Sequence, residues 1–554
     1  MQTETILNVN DISLSPKPYG HLGLVSGFFS EMGLVSFFDE LMPKTRKHRI
    51  THGEAILAFS LNGIAFARRQ LYLFSEFFEK LPISRLFGCD EITSEDLNES
   101  VMGEALDKIY AYGPAQLFQE LVQHIIKRMP IDLTRLHVDT TNFSVFGDYK
   151  NNPLSSSKKK VIEITLGHPK DGRWDLKRFV LALVVNTYGV PLLMRTFDGN
   201  ASDHQTLKEC ISNTQSHLCK ELLADSEKTY FIADSAFYTM GNICKMEVLW
   251  VSRVPSSISS ASALLRVEVD FIPSADSRYQ FYETESQYGD IAQKWVLAHS
   301  SEMATKQEAT FAKDMKKKLA KAESGLTRLK HQEFSCEADA LSAARKWIKP
   351  FPELDFVSLA VRSEKRRVSG LKGRPKKDEV LRDVWFIEAE LCENTSVLDR
   401  ERRKLGRFII ASNDTSLSGE EMLRIYKEQS KVERGFRFLK SKSFFVSEVF
   451  LKKPERIEAL SFIMVLCLLF YSLLELKLRL QLKKENLQIP DRKGKSTQNP
   501  TLEWAFFFFE NIQKVTIRIS GIVRQVSIVN LQADDPAKTI LTALGPHYQR
   551  FYGT

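Results

Sequence analysis

The sequence has 554 residues, of which 43% are hydrophobic and 26% charged, which is ordinary for a globular protein of roughly three to four domains. Its 26 glycines and 19 prolines exclude a collagen-like or low-complexity chain, and its seven dispersed cysteines exclude a disulfide scaffold and a paired-cysteine zinc site. The net charge of +8 permits a polyanionic partner but does not identify one.

Residues 1–130 predict a helical N-terminal domain. Apolar residues recur three and four positions apart in 20–41 and in 99–128, as on the buried face of a helix. Between these stretches, the basic segment 44–49 precedes a further helix start. This pattern is typical of a small DNA-binding domain, and an ordinary helical cap domain fits it equally well.

Residues 131–254 change to short apolar runs rich in β-branched residues, bounded by turn residues. A helix is predicted between the third and fourth runs and a short helix between the fourth and fifth. Apolar strands that alternate with helices predict an α/β sheet covered on both faces, the first part of a catalytic core. The predicted strands are 133–139, 178–186, 190–197, 229–234 and 248–254.

The rest of the chain interrupts this alternation of apolar strands and helices and then resumes it. Residues 255–405 predict a β-rich insertion that contains a charged helical stretch and a basic patch at 362–379. Residues 406–480 return to a strand and helices and predict the second part of the core. Residues 481–554 are expected to form a basic C-terminal tail.

The longest run without a charged residue, Ala459–Leu474, is shorter than the roughly 20 residues that a membrane span needs. It therefore predicts a buried core helix and no membrane association. The first 15 residues are polar and lack the basic and then apolar layout of a secretory signal. We expect a cytoplasmic protein.

Two aspartates, Asp139 and Asp234, close apolar runs of the predicted core. Functional groups of open α/β sheets gather at the carboxyl ends of strands. A partly buried carboxylate needs a partner, and a divalent cation is one. The alternative is that each aspartate only caps a turn or a helix. His137 would point to the same face of the strand as Asp139.

A late helix, which begins with the capping-box pair Ser418 and Glu421, carries a further set of polar residues. Its tyrosine, amide, carboxylate and lysine fall on a stripe about 60° wide, unlike an apolar core stripe. A salt-bridged surface face is the alternative. Three carboxylates from two strands and a helix suit two Mg²⁺ ions, and the lysine and tyrosine suit contacts to DNA. The stripe contains Tyr426, Gln429, Glu433 and Lys440.

With these residues the chain resembles a bacterial DDE transposase of the insertion-sequence-four superfamily, in its sixteen-thirty-four group. The resemblance implies a ribonuclease-H-like catalytic core with a β-rich insertion. It also implies that Asp139 ends the first strand, Asp234 ends the fourth strand, and Glu433 lies on a helix after the insertion. The helix signature of the family is Tyr, two residues, Arg, three residues, Glu, six residues, Lys. Here Gln429 replaces the Arg.

The function that the resemblance implies is cut-and-paste transposition with a hairpin intermediate at the element end. Asp139, Asp234 and Glu433 would hold two Mg²⁺ ions, for which Mn²⁺ would substitute, and would be the catalytic residues. Tyr426, Gln429 and Lys440 would contact DNA. The partners would be the terminal inverted repeats, target DNA and a second copy of the chain. The bacterial cytoplasm, at the nucleoid when bound, would be the location.

Arg374 and Lys376 stand in KGRPKK, which resembles the core of an A·T-hook, so they are candidate DNA-binding residues. A solvated basic loop is the alternative.

Two other functions stay open at this point. One is a metal-dependent nuclease of the same fold, and the other is a non-catalytic DNA-binding protein from a decayed element.

Overall fold

The computed structural model describes residues 12–44, 48–65, 70–149, 161–169, 172–214, 228–243, 248–288, 290–367, 380–440, 451, 453–519, 522–532 and 534–553. Contacts within the chain divide it into two units, Met1–Val251 with Ile425–Thr554 and Ser252–Arg424. This division differs from the five segments predicted from the sequence, which stay a prediction.

The helices of the described residues are α1 (Leu22–Met32), α2 (Leu34–Leu41), α3 (His52–Ile64), α4 (Phe74–Glu79), α5 (Ile83–Phe87), α6 (Glu99–Tyr112), α7 (Pro114–Ile126), α8 (Asp203–Thr214), α9 (Met240–Ile243), α10 (Ser259–Leu264), α11 (Ser301–Lys330), α12 (Glu337–Ile348), α13 (Thr395–Arg402), α14 (Gly419–Lys427), α15 (Ser430–Lys440), α16 (Pro454–Lys484), α17 (Leu502–Phe507), α18 (Pro536–Leu544) and α19 (Pro546–Tyr552). Short 3₁₀ turns lie at Leu71–Leu73 and Ser94–Leu97.

The strands are β1 (Ile12–Pro18), β2 (Arg135–Val145), β3 (Lys177–Asn186), β4 (Pro191–Phe197), β5 (Tyr230–Ala233), β6 (Leu249–Arg253), β7 (Ile272–Pro273), β8 (Tyr279–Tyr288), β9 (Ile291–Ser300), β10 (Leu354–Arg367), β11 (Leu381–Glu393), β12 (Arg407–Ser412), β13 (Ile489–Pro490), β14 (Ser496–Thr497), β15 (Gln513–Ile519) and β16 (Ile522–Val529).

The first unit contains the sheet that the sequence predicts, with strand order β4-β3-β2-β5-β6. Strand β3 pairs antiparallel with both β2 and β4, and β5 pairs parallel with β2. Strand β3 is buried along almost its whole length, as expected for a strand covered on both faces. The predicted α/β organisation is therefore confirmed, and it is consistent with a ribonuclease-H-like core.

Helix α16 forms the centre of the helical part of the first unit. Its apolar residues lie on all sides, and α1, α3, α6, α7 and strand β4 pack around it. By length and composition α16 could cross a membrane, and so could the bent pair α1 and α2, but 83% of the apolar window of α16 is buried inside the structure. A helix that is apolar all round and covered by its own chain is a core helix, which confirms the prediction for this stretch.

The two ends of the described chain pack together. Strand β1 pairs with β15 in antiparallel register, from Ile12↔Ile519 to Pro18↔Gln513, and β16 extends this sheet. Helix α19 packs on α1, and the hydroxyl of Tyr548 donates a 2.8 Å hydrogen bond to Glu31, which also pairs with Lys477. The described residues after 481 are thus folded elements of the first unit rather than the tail that the sequence predicts, because their partners lie near the start of the chain.

The second unit has an antiparallel sheet with strand order β12-β9-β8-β7 and a separate two-stranded ribbon, β10–β11. Helices α11 and α12 cover the ribbon and share a small apolar core with it, which includes Leu326, Ala344 and Ile387. The β-rich insertion predicted from the sequence at 255–405 falls within this unit.

A largely buried carboxyl group on α16 ties this helix to the sheet of the first unit. Glu458 accepts a 2.9 Å hydrogen bond from the amide of Ile162 and a 3.4 Å hydrogen bond from the hydroxyl of Thr196 on β4. Burial raises the pKa of Glu458 to about 7, and the nearby charges of Glu455 and Asp198 add to this effect. The folded protein therefore binds this proton more tightly than the unfolded chain does.

We expect Glu458→Gln to change how stability depends on pH. The raised pKa makes the folded state lose stability as pH rises from about 4.5 to about 7, and Gln cannot ionise. The free energy of unfolding of the variant minus that of the wild type should therefore increase by roughly 2 kcal/mol from pH 5 to pH 8. Denaturant unfolding of both proteins at the two pH values measures this. Glu485→Gln, an exposed change of equal charge, is the control, and an equal difference at both pH values would contradict the expectation.

Candidate functional site

Asp139 lies within β2 and not at its end. Strand β3 pairs with β2 from Leu136↔Asn186 to Val145↔Lys177, so β2 has hydrogen-bonding partners well beyond Asp139. The prediction that the strand ends at Asp139 is therefore wrong. What ends near this residue is the neighbouring strand β5, which ends at Ala233.

Asp139 and Asp234 are neighbours across the parallel pair β2 and β5. The register runs from Arg135↔Tyr230 to His137↔Ile232, and continuing it by two residues places Asp139 opposite Asp234. Adjacent strands are about 4.8 Å apart, and residues opposite each other share a face. The sheet thus brings the two predicted carboxylates side by side where β5 ends.

Backbone hydrogen bonds fix both aspartates. An oxygen of Asp139 accepts from the amide of Thr140 at 2.7 Å, and an oxygen of Asp234 accepts from the amide of Ala236 at 2.9 Å. Both side chains are partly exposed, so a ligand can reach them from solvent.

The predicted single helix after Ser418 is two helices. α14 ends at Lys427 and α15 begins at Ser430, because the amides of Glu428 and Gln429 bond to carbonyls three residues back instead of four. The prediction of one stripe along a continuous helix is therefore wrong. Tyr426 lies at the end of α14 and Gln429 in the turn, both half-buried, while Glu433 and Lys440 share one face of α15.

Helix α15 lies along β2 and contacts it near both helix ends. Just before α15, Glu428 accepts a 3.4 Å hydrogen bond from Arg135, and its other oxygen is 4.0 Å from a ring nitrogen of the fully buried His137. At the last residue of α15, the amine of Lys440 lies 5.6 Å from the ring centroid of Phe143. The helix and the strand therefore run in the same direction.

These two contacts also locate Glu433 relative to Asp139. All the contacted residues of β2 have odd numbers, so they lie on the same face of the strand as Asp139. Glu433 is five residues, or about 7.5 Å of helix, beyond the first contact. Asp139 is two residues, or about 7 Å of strand, beyond His137 and four residues, or about 13 Å, beyond Arg135, the two strand residues of that contact. The exposed Glu433 therefore lies on the part of α15 that runs beside the stretch of β2 between His137 and Phe143, which contains Asp139.

The carboxylates do not form a closed metal site. Within the described parts of the chain, no group of three or more His, Cys, Asp or Glu side chains is arranged to hold a metal ion. The pair of aspartate oxygens nevertheless matches the hard oxygen ligands that Mg²⁺ requires. The arrangement suits binding of a divalent cation beside the pair.

The remaining predicted positions, Arg374 and Lys376, lie outside the described residues.

Sequence reasoning missed Glu428, which links the turn before α15 to β2. No local signal identifies it, because its partner Arg135 lies 293 residues earlier in the chain.

We expect Glu428→Gln to loosen α15 on β2, because the substitution removes the charge that pairs with the largely buried Arg135. Stability should fall by about 1 to 2 kcal/mol in denaturant unfolding at pH 7. Any activity that needs Glu433 beside Asp139 should fall by about tenfold or more. Glu510→Gln, at an exposed position, is the matched control. Equal stability of the two variants would show that the Glu428 contact does not hold the helix.

Two protein-family models match the chain. A family model described as "Transposase DDE domain" matches residues 132–470, which is more than half of the chain. A second model, described as a domain of unknown function (DUF4277), matches residues 14–123. No curated protein matches the chain.

Proposed function

Because the chain belongs to the family of transposases with a DDE domain, we propose that Asp139, Asp234 and Glu433 are its catalytic carboxylates. The observation that carries this assignment is the parallel register that sets Asp139 beside Asp234, under the helix that carries Glu433. Asp139 lies on β2, Asp234 directly follows β5, and Glu433 lies on α15, which runs along β2. DNA is the substrate that membership of this family implies.

DDE transposases generally use divalent metal ions, and here Asp139 and Asp234 would hold two Mg²⁺ ions, or Mn²⁺ in their place, with Glu433 as the third ligand residue. When bound, such ions stabilise the charge on the attacking and leaving oxygens of a phosphodiester. The chain itself orients the DNA. Lys440 would bind a phosphate close to the carboxylates, and the half-buried Tyr426 would donate its hydroxyl to a neighbouring phosphate.

The proposed reaction is a series of displacements at phosphorus. Water attacks a phosphodiester at the element end, the P–O bond to the 3′ oxygen breaks, and that oxygen leaves as a 3′-hydroxyl. The hydroxyl then attacks a phosphodiester of the opposite strand and displaces its bridging oxygen, which gives the hairpin. A second water hydrolyses the hairpin and restores the 3′-hydroxyl, which then attacks target DNA, displaces a bridging oxygen and gives the joined product.

The more specific parts of the proposal rest on the family resemblance. They are the sixteen-thirty-four group of the insertion-sequence-four superfamily, recognition of terminal inverted repeats, a homodimer on paired ends, and action in the bacterial cytoplasm. The net charge of +8 supports binding to a polyanion. The N-terminal region, and the basic segment with Arg374 and Lys376, would contribute to DNA binding.

A second candidate is a non-catalytic DNA-binding protein of a decayed element. Two observations favour it. The described carboxylates do not close into a group of three, and Gln429 stands where the family signature has Arg.

The deciding experiment is a cleavage and strand-transfer assay with the full chain. It uses labelled duplex DNA that carries the ends flanking the gene, with Mg²⁺ or Mn²⁺ against a chelator. We expect metal-dependent nicks, a hairpin and a joined product. Binding without cutting would favour the second candidate, and cut ends without joining would indicate a nuclease.

Glu433→Gln should lower cutting by about a hundredfold or more, because it removes one of three charged metal ligands. Binding of the end duplex, measured by fluorescence anisotropy without metal, should stay within about twofold of the wild type because Glu433 makes no favourable contact with phosphate. Glu510→Gln should leave both unchanged. Wild-type cutting by the Glu433 variant would exclude this residue from the catalytic set.

Gln429→Arg should strengthen binding of the end duplex about three- to tenfold, because a guanidinium can bind a phosphate through two hydrogen bonds. Gln429→Lys adds the same charge without the planar fork and should gain less. The same anisotropy titration compares the three proteins. Equal affinity of all three would show that position 429 does not reach the DNA.

A further inference from the structure

Strands β1 and β15 sort most of their polar and apolar residues onto opposite faces. On β1 and β15, one face carries apolar residues such as Leu14 and Ile517. The other face of these two strands, which we call the β1–β15 basic face, carries lysine, arginine and hydroxyl side chains, and Val523, Val526 and Ile528 of β16 border it. Its cross-strand pairs are Ser13↔Arg518, Ser15↔Thr516 and Lys17↔Lys514.

Lys17 and Lys514 stand directly opposite each other on this face. Like charges at such positions destabilise a sheet. A third cation, Arg85 of α5, adds to the repulsion. The pKa of Lys514 is lowered by burial and by the charges of Arg85 and Lys17, and the charge of Asp90 only partly offsets this. The fold thus maintains an unfavourable concentration of positive charge.

Main-chain carbonyls hold two of these cations in place. The amine of Lys17 donates to the carbonyl oxygens of Glu79 at 2.7 Å and Leu81 at 3.2 Å. Carbonyl groups orient a cation without neutralising its charge.

Arg85 is held in the same way. Its guanidinium donates to the carbonyl oxygens of Arg550 at 2.6 Å and Phe551 at 3.0 Å. In the described part of the chain, no salt bridge joins a carboxylate to Lys17, Arg85 or Lys514. The cluster is therefore fixed in position and keeps its positive charge.

We propose that the β1–β15 basic face, together with Arg85, binds the phosphate backbone of double-stranded DNA. Lysine, arginine, serine and threonine are the side chains that contact DNA phosphates. From Lys514 to Arg518 the face extends about 14 Å along β15, enough to follow several phosphates spaced about 3.4 Å apart along the axis. The site is built from elements other than β2, β5 and α15, and it rests on the proposed function in that DNA is the substrate.

The test uses Lys514→Gln in the full chain and an end-bearing DNA duplex, with Kd measured by anisotropy over a series of salt concentrations. We expect Kd to rise about three- to tenfold at low salt and the slope of log K against log salt to fall by about one. Stability without DNA should be equal or higher, because a repulsive charge is removed. Lys493→Gln, an exposed change of equal charge, is the control.

Asp90→Asn provides the opposite change, since it removes the carboxylate that offsets the cluster. It should lower Kd about two- to threefold.

The outcomes separate the two proposals. If the wild type binds and cuts DNA but Lys514→Gln matches Lys493→Gln in slope and Kd, the basic face is not a DNA site and the proposed function stands. If the wild type does not bind duplex DNA, both proposals are overturned. If Lys514→Gln unfolds more readily than the wild type, the lysine is structural and the inference fails.

Discussion

The candidate site depends on the parallel register between β2 and β5. A shift of one residue would turn one of the two aspartates to the other face of the sheet, and a shift of two would separate them along the strand. The register is set by buried apolar residues on both strands, such as Leu136 and Phe231, which are neighbours in it. Two adjacent carboxylates repel each other, so the sheet maintains an arrangement that a bound cation would relieve.

The helix that carries Glu433 is held between two parts of the same unit. One side of α15 contacts β2, and the other contacts α16, where Gly435 allows close approach. A Cβ atom at Gly435 would lie 3.3 Å from a methyl group of Leu468. Since Glu458 also ties α16 to the sheet, the long core helix supports both the strands and the facing helix. The apolar helix that resembles a membrane span thus serves to position the site.

Two places in the first unit that carry positive charge have different surroundings. Lys440, at the end of α15, lies beside the ring of Phe143, while Lys17, Arg85 and Lys514 form a cluster near the joined chain ends. The cluster exists only because residues from the start of the chain, from α5 and from the C-terminal hairpin fold together. A DNA enzyme that holds its substrate at a second place could keep the duplex aligned while single phosphodiesters react.

The sequence by itself determined the local features of this protein. Apolar runs predicted the core strands and α16, and the capping box of Ser418 and Glu421 forms as expected, with hydrogen bonds in both directions. The residue types also identified Asp139, Asp234 and Glu433 as candidates. These features depend on neighbours within a few residues, where helix and strand periods are visible.

Only the tertiary structure decided how these features meet. It extended β2 past Asp139, broke the predicted helix between Lys427 and Ser430, and paired β1 with β15. It also brought Arg135 to Glu428. The length of β2, the β1–β15 pairing and the contact of Arg135 with Glu428 depend on partners in other elements or far along the chain. The break between Lys427 and Ser430 depends on whether the backbone amides bond three or four residues back. Local periodicity contains no information about such partners, so the position of the site had to come from the fold.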